Sequence, residues 1–283
     1  MKFTDFTQNF TIMAKEKVST KNKKQSKGLS AALVIVLAFV TALLIYNFVF
    51  GAKSNFIDNN PENHPLNGNM LGTIYKGGII VPIIQTLLLT VLALSIERYF
   101  ALRSAFGKGS LSKFVANIKD ALAAGDMKKA QEICDKQRGS VANVVTSTLR
   151  KYEEMEKNTS LPKEQKLLAI QKELEEATAL EMPMMQQNLP IIATITTLGT
   201  LMGLLGTVIG MIRSFAALSA GGGADSMALS QGISEALINT AFGILTGALA
   251  VISYNYYTNK IDKLTYGLDE VGFSIVQTFA ATH

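Results

Sequence analysis

Four long apolar runs dominate the chain, and the polar residues are arranged around them. Residues 29–51, 77–96, 189–212 and 236–259 contain no charged side chain, and Glu235 stands at the leading edge of the last run. A helix needs about 20 mostly apolar residues to cross the hydrocarbon core of a bilayer, and each run reaches that length. The pattern predicts an all-α integral membrane protein with four transmembrane helices.

Between the second and third runs the hydrophobic period changes. LSKFVANIKDALAAGD places Leu111, Phe114, Val115, Ile118, Ala121 and Leu122 at the spacing of one helix face. Gly125 and Asp126 then read as a C-cap followed by an N-cap. MKKAQEICDKQ and SVANVVTSTLRKYEEM predict two more helices packing back on the first, with Cys134 a small buried residue. A fourth, PKEQKLLAIQKELEEATALEM, runs toward the third apolar run, where Pro183 and Pro190 predict kinks. The organisation expected is a basic tail at 1–28, a first span at 29–51, a connection at 52–76 and a second span at 77–102. A helical insert at 103–188, a helix pair at 189–258 and a tail at 259–283 follow.

The charges orient these spans. Of 27 Lys and Arg residues, seven precede residue 29, fifteen lie between 97 and 188, and two follow 259, leaving only Lys53, Lys76 and Arg213 elsewhere. The positive-inside rule then puts the tail, the insert and the C-terminus in the cytoplasm, and the 52–76 connection and the hairpin near 213–232 outside. Topology accounts for the net charge of +5, so no nucleic-acid partner is called for. The first run is longer than a signal-peptide core and VFGAKS lacks a small-x-small cleavage site, so a retained anchor is expected. One cysteine and two distant histidines, His64 and His283, exclude an intrachain disulfide and offer no metal or cofactor site. No nucleophile–base constellation appears, so enzymatic activity is not expected.

Chemistry concentrates in the last two runs. Within the third, Gly199, Gly203, Gly206 and Gly210 recur at close-packing spacing, and Thr196, Thr200, Gly203, Thr207 and Ser214 share a narrow stripe. In the fourth, Glu235, Asn239 and Thr246 share one face beside a small-residue face of Ala236, Thr240, Gly243 and Gly247. A central membrane carboxylate costs about 2.5–3.5 kcal/mol, so such groups face a bundle interior, a partner or a water path. If the last helix starts near Ser230, Glu235 lies inside it; if it starts at Ala236, Glu235 is interfacial. Adjoining polar and small stripes argue for an oligomer around a polar centre. The alternatives are a monomeric four-helix bundle whose polar groups pair internally and, for the third run's threonines, simple packing with each hydroxyl bonded back to its own helix. Arg213, at the outer end of the third run, reads as a snorkelling side chain.

TLGTLMGLLGTVIGMIRSF, a short Gly-rich hairpin and QGISEALINTAFGILTGALAVISYNYYTNKID resemble the MotA/TolQ/ExbB proton-channel family, most closely its ExbB branch. SIERYFALRSA and ALAAGDMKKAQEIC fit more loosely. The resemblance implies three spans around a large cytoplasmic insert, so the first span here is extra. It also implies a ring of five copies in a bacterial inner membrane, enclosing ExbD-like single-span helices whose Asp titrates. The proton-motive force then drives TonB-like proteins in outer-membrane import. By matching position, Thr207 and Thr240 correspond to pore-lining threonines and Glu235 to the intramembrane glutamate. The absence of a GxxxxGK[ST] loop fits a machine that uses no ATP. A TolQ-like or motility-stator role, or a non-conducting scaffold, are the competing readings. From the lysine distribution, cysteine labelling from outside intact cells is expected to miss Cys134; labelling there would reverse the topology.

Overall fold

The computed structural model describes residues 30–220 and 226–282; the basic tail at 1–28 and the Gly-rich segment at 221–225 lie outside the described residues. Nine α-helices occur among them. Helix α1 (Ala31–Leu44) ends in a π-helical turn, Ile45–Phe50. Short α2 (Met70–Tyr75) precedes α3 (Ile80–Phe106). The insert contains α4 (Leu111–Ala123), α5 (Met127–Gln137), α6 (Gly139–Lys157) and α7 (Lys163–Gln186). Helices α8 (Leu189–Ala220) and α9 (Ser226–Thr282) complete the fold. Four stretches are long and apolar enough to cross a membrane, falling on Ala31–Phe50 and within Ile80–Ala123, Lys163–Ala216 and Leu229–Thr282. The protein is an all-α integral membrane protein.

The insert folds as its periodicity dictates. Phe114, Val115, Ile118, Ala121 and Leu122 of α4 are all buried. Gly125 adopts φ +68°, and the Asp126 carboxylate accepts from the Lys129 N–H at 2.9 Å, ending one helix and starting the next. Cys134 is buried and desolvation pushes its thiol up to about 11, so it is inert from either side of a membrane. A topology reporter therefore needs an exposed position such as Glu164.

Two features depart from the expectation. The segment 259–283 is not a separate tail, because α9 runs unbroken for 57 residues, about 85 Å at 1.5 Å per residue. That is far longer than a bilayer core, so the helix leaves the membrane and enters the insert. Leu264, Leu268, Val271, Ile275 and Phe279 have no exposure there and join the core with α4, α6 and α7. At the second departure, Pro183 sits inside α7, and the chain turns sharply at Gln187 and Asn188, with Asn188 at φ +66° and Pro190 in the first turn of α8. The last carbonyls of any helix lack helical partners. Here the Arg98 guanidinium, 1% exposed, donates to Met184 O at 3.0 Å and Met185 O at 3.3 Å. Glu97 neutralises Arg98 through both carboxylate oxygens and also accepts from Asn188 Nδ2 at 3.2 Å. This buried ion pair ties α3 to the α7–α8 turn.

Leu268→Ala should destabilise the purified protein by about 2–5 kcal/mol through the cavity it leaves, whereas Tyr266→Ala, on the exposed side of the same helix, should cost under about 0.5 kcal/mol. Equilibrium denaturation of the two variants distinguishes a core helix from a tail, for which both would be silent.

Candidate functional site

The last two spans meet along their glycines. A Cβ on Gly243 would stand 2.6 Å from Gly203 Cα, and one on Gly206 would stand 2.3 Å from Asn239 Cβ. Gly199 faces Thr246 Cγ2 at 3.1 Å, Gly210 faces Ala236 Cβ at 2.9 Å, and Gly247 faces Thr200 Oγ1 at 2.7 Å, each measured from the same added carbon. Only residues without a side chain permit so close an approach of two backbones. The two small stripes therefore face each other within one chain, so their packing is not by itself an argument for a second copy.

Helix α9 begins at Ser226, so Glu235 lies more than two turns inside it, buried at 8% side-chain exposure. Its Oε1 accepts from Arg213 Nη1 on α8 at 2.5 Å, and that Arg is 53% exposed. Arg213 thus turns back on the bundle as the counter-ion of Glu235. Burying a carboxylate requires such compensation, because desolvation otherwise favours its neutral form.

The pair is covered by the turn between α2 and α3. Gly78 has φ +73°, and a Cβ there would lie 2.6 Å from Glu235 Oε1 and 3.1 Å from Arg213 Nη1. Asn239, one turn along the same face, donates from Nδ2 to Gly77 O at 2.9 Å; its buried Oδ1 has no partner among the described residues. The turn is itself anchored to the first span. Tyr46 donates to Tyr75 O at 2.9 Å, and the two rings stack at 4.7 Å. Asn55 donates to Val49 O and Phe50 O at 2.8 and 3.0 Å and accepts from Asn69 at 3.1 Å. Lys76 lies over the Phe56 ring and donates to Glu62 O at 2.9 Å, and burial lowers its pKa. The first span and its connection form a cap over the Glu235–Arg213 pair.

The threonines lie elsewhere on the seam. Thr240 stands five positions from Glu235, about 140° around the helix, and its hydroxyl donates across to Gly203 O on α8 at 3.3 Å. Thr207, one turn beyond Gly203, returns its hydroxyl to Leu204 O at 2.5 Å. Thr196, Thr200, Ser214 and Thr246 likewise bond to carbonyls of their own helices. Within one chain the structure joins Glu235 to Arg213, but brings neither threonine to that carboxylate. Among the described residues no cluster of His, Cys, Asp and Glu could hold a metal.

The fold and this site define a polytopic membrane protein carrying a compensated charge pair inside its helix bundle. Residues 138–270 match the MotA/TolQ/ExbB proton channel family, and the chain belongs to that family. It is 31% identical over 198 residues to the biopolymer transport protein ExbB-like 1 of Synechocystis sp., covering 65% of this chain and 69% of that protein. ExbB-like 3 of the same organism is 36% identical over 86 residues, covering 30% of this chain; the chain spans only 41% of that relative's length. The Tol-Pal system protein TolQ of Pseudomonas aeruginosa is 24% identical over 194 residues, covering 64% of this chain and 81% of TolQ.

Sequence reasoning missed the Arg213 pairing and the buried Arg98. A charged residue at each end of the hairpin, Arg213 and Glu235, was the available signal for the first. Because Gly78 needs a left-handed backbone and has no room for a Cβ, Gly78→Ala should destabilise the protein by about 1–3 kcal/mol, read by denaturation. A neutral result would mean that the cap does not rest on Glu235.

Proposed function

We propose that the chain is an ExbB-like proton-channel subunit of an energy-transducing complex in a bacterial inner membrane, powering TonB-dependent outer-membrane import from the proton-motive force. The observation that carries the reading is a buried, Arg-paired carboxylate inside a helix of a proton-channel family member. A proton falling through 100 mV yields about 2.3 kcal/mol, so several transfers suffice for mechanical work. Glu235 exchanges charge, and Thr207 and Thr240 relay the proton, since a hydroxyl both donates and accepts. In this structure the Thr207 hydroxyl donates to Leu204 O at 2.5 Å and the Thr240 hydroxyl to Gly203 O at 3.3 Å, so relaying a proton requires each to exchange that bond for a partner's. Five copies form a ring around ExbD-like helices, and a TonB-like protein receives the motion. The exposed apolar face of α8, Leu201, Leu204, Leu205, Val208 and Ile212, supplies surface for neighbouring copies, partner helices or lipid. Both termini and the insert lie in the cytoplasm, as the lysine distribution favours.

A TolQ-like role in envelope integrity is the second reading, favoured by the similarity to TolQ across 64% of the chain. Both readings share the proton path and differ in the partner it drives.

Glu235→Ala should abolish proton-motive-force-dependent uptake while leaving membrane insertion intact, because an apolar replacement removes an insertion cost. Thr207→Val with Thr240→Val should do the same, since Val keeps the shape but loses the hydroxyl. Uptake assays with the ExbD-like partner present decide: retained uptake in both variants would reduce the three residues to packing. Loss of envelope integrity with import intact would select the TolQ-like role.

A further inference from the structure

Where α3 and α9 leave the apolar part of the bundle toward the insert, they diverge around a cleft of about 280 Å³. Buried Leu102 and Tyr257 and half-buried Phe106 line its inner part, and the Tyr257 hydroxyl donates to Ser95 O at 2.6 Å, tying the two helices together. Arg103 and Tyr99 from α3 and Lys260 and Tyr256 from α9 line the mouth. Lys260 stands 5.6 Å above the Tyr256 ring, a cation–π contact that holds it over the opening.

These four mouth residues have one chemistry in common. Each polar head is a hydrogen-bond donor, two are permanent cations at neutral pH, and none meets an acceptor among the described residues. No acidic residue lines the cleft. A concave site that combines two cations with two hydroxyls able to donate, and no acid, is complementary to a phosphate-bearing anion. Its surroundings choose the source of that phosphate. Toward the apolar spans, about one helical turn before the mouth residues of the same two helices, Ile96, Phe100 and Ile252 are 61, 63 and 64% exposed. Tyr rings flanking basic side chains at the end of such a surface match the headgroup level of a bilayer. A soluble phosphate would have no use for that apolar surface, whereas acyl chains would cover it.

We infer that the α3–α9 cleft binds the phosphate headgroup of an anionic phospholipid from the leaflet on the insert side. Arg103 and Lys260 clamp the phosphate, the Tyr99 and Tyr256 hydroxyls donate to its oxygens, and the acyl chains lie along Ile96, Phe100 and Ile252. The bound lipid joins the outgoing ends of the two helices that carry the membrane bundle into the insert.

The full chain, purified in mild detergent with an equimolar mixture of phosphatidylglycerol and phosphatidylcholine, tests this by native mass spectrometry of retained lipid. The wild type should retain phosphatidylglycerol in preference. At roughly fivefold per cation at an anionic surface, Arg103→Gln with Lys260→Gln should lower that preference by roughly 25-fold. Tyr99→Phe with Tyr256→Phe, which preserves the cleft's shape, should lower it by a smaller factor. Lys128→Gln with Lys129→Gln, exposed cations on α5, should leave it unchanged. An unchanged preference in the Arg103/Lys260 variant would overturn the assignment, as would an equal loss in the α5 control, which would reduce the effect to general surface charge. Displacement of the lipid by millimolar inorganic phosphate would overturn the lipid source in favour of a soluble anion.

Discussion

The contact on which the rest depends is the backbone-to-backbone approach of α8 and α9 along Gly203 and Gly243. Lipid tails are as apolar as leucine, so two helices inside a bilayer gain little from burying hydrocarbon against each other. Close packing has to supply the association instead, and the glycines allow it. A seam this tight also favours one register, in which Asn239 and Ala236 sit against Gly206 and Gly210, where α8 has no side chain to obstruct them. The register in turn brings Glu235 level with Arg213, the Thr240 hydroxyl to Gly203 O, and Asn239 to Gly77 O. Site geometry here is a consequence of helix packing.

Two further devices connect that seam to the remainder of the chain. On one side the cap, stacked through Tyr46 and Tyr75 onto the first span, seals the Glu235–Arg213 pair beneath Gly78. At the opposite end α9 continues without a break into the insert, while the Arg98–Glu97 pair holds the end of α7 and the start of α8 against α3. The polar site and the insert core are therefore built on one unbroken helix.

Much of this was legible in the sequence, and the reasons differ by element. The four spans announce themselves by charge-free length, and α4 to α6 by a hydrophobic period that survives into burial at Phe114, Ile118 and Val145. The continuation of α9 was written in the spacing of Ile261, Leu264, Leu268, Val271, Ile275 and Phe279, but the polar residues between them gave the segment the look of a tail. Pairings across elements were not legible. Arg213 and Glu235 lie 22 residues apart, and only the hairpin register decides whether they meet. Arg98 reads as an ordinary interfacial arginine until the carbonyls of Met184 and Met185, 86 and 87 residues away, are folded onto it. Glycine spacing likewise announces close packing without naming the partner helix.

The register of the seam is tested most directly by reversing the charges of the pair it creates. Arg213→Glu and Glu235→Arg each place two like charges against one another, and each should lower the Tm of the purified protein. If the two side chains meet as described, the double variant Arg213→Glu/Glu235→Arg should recover most of the loss, with a coupling of about 0.5–3 kcal/mol. A double variant whose destabilisation equals the sum of the single losses would contradict the pairing, and with it the register assigned to α8 and α9.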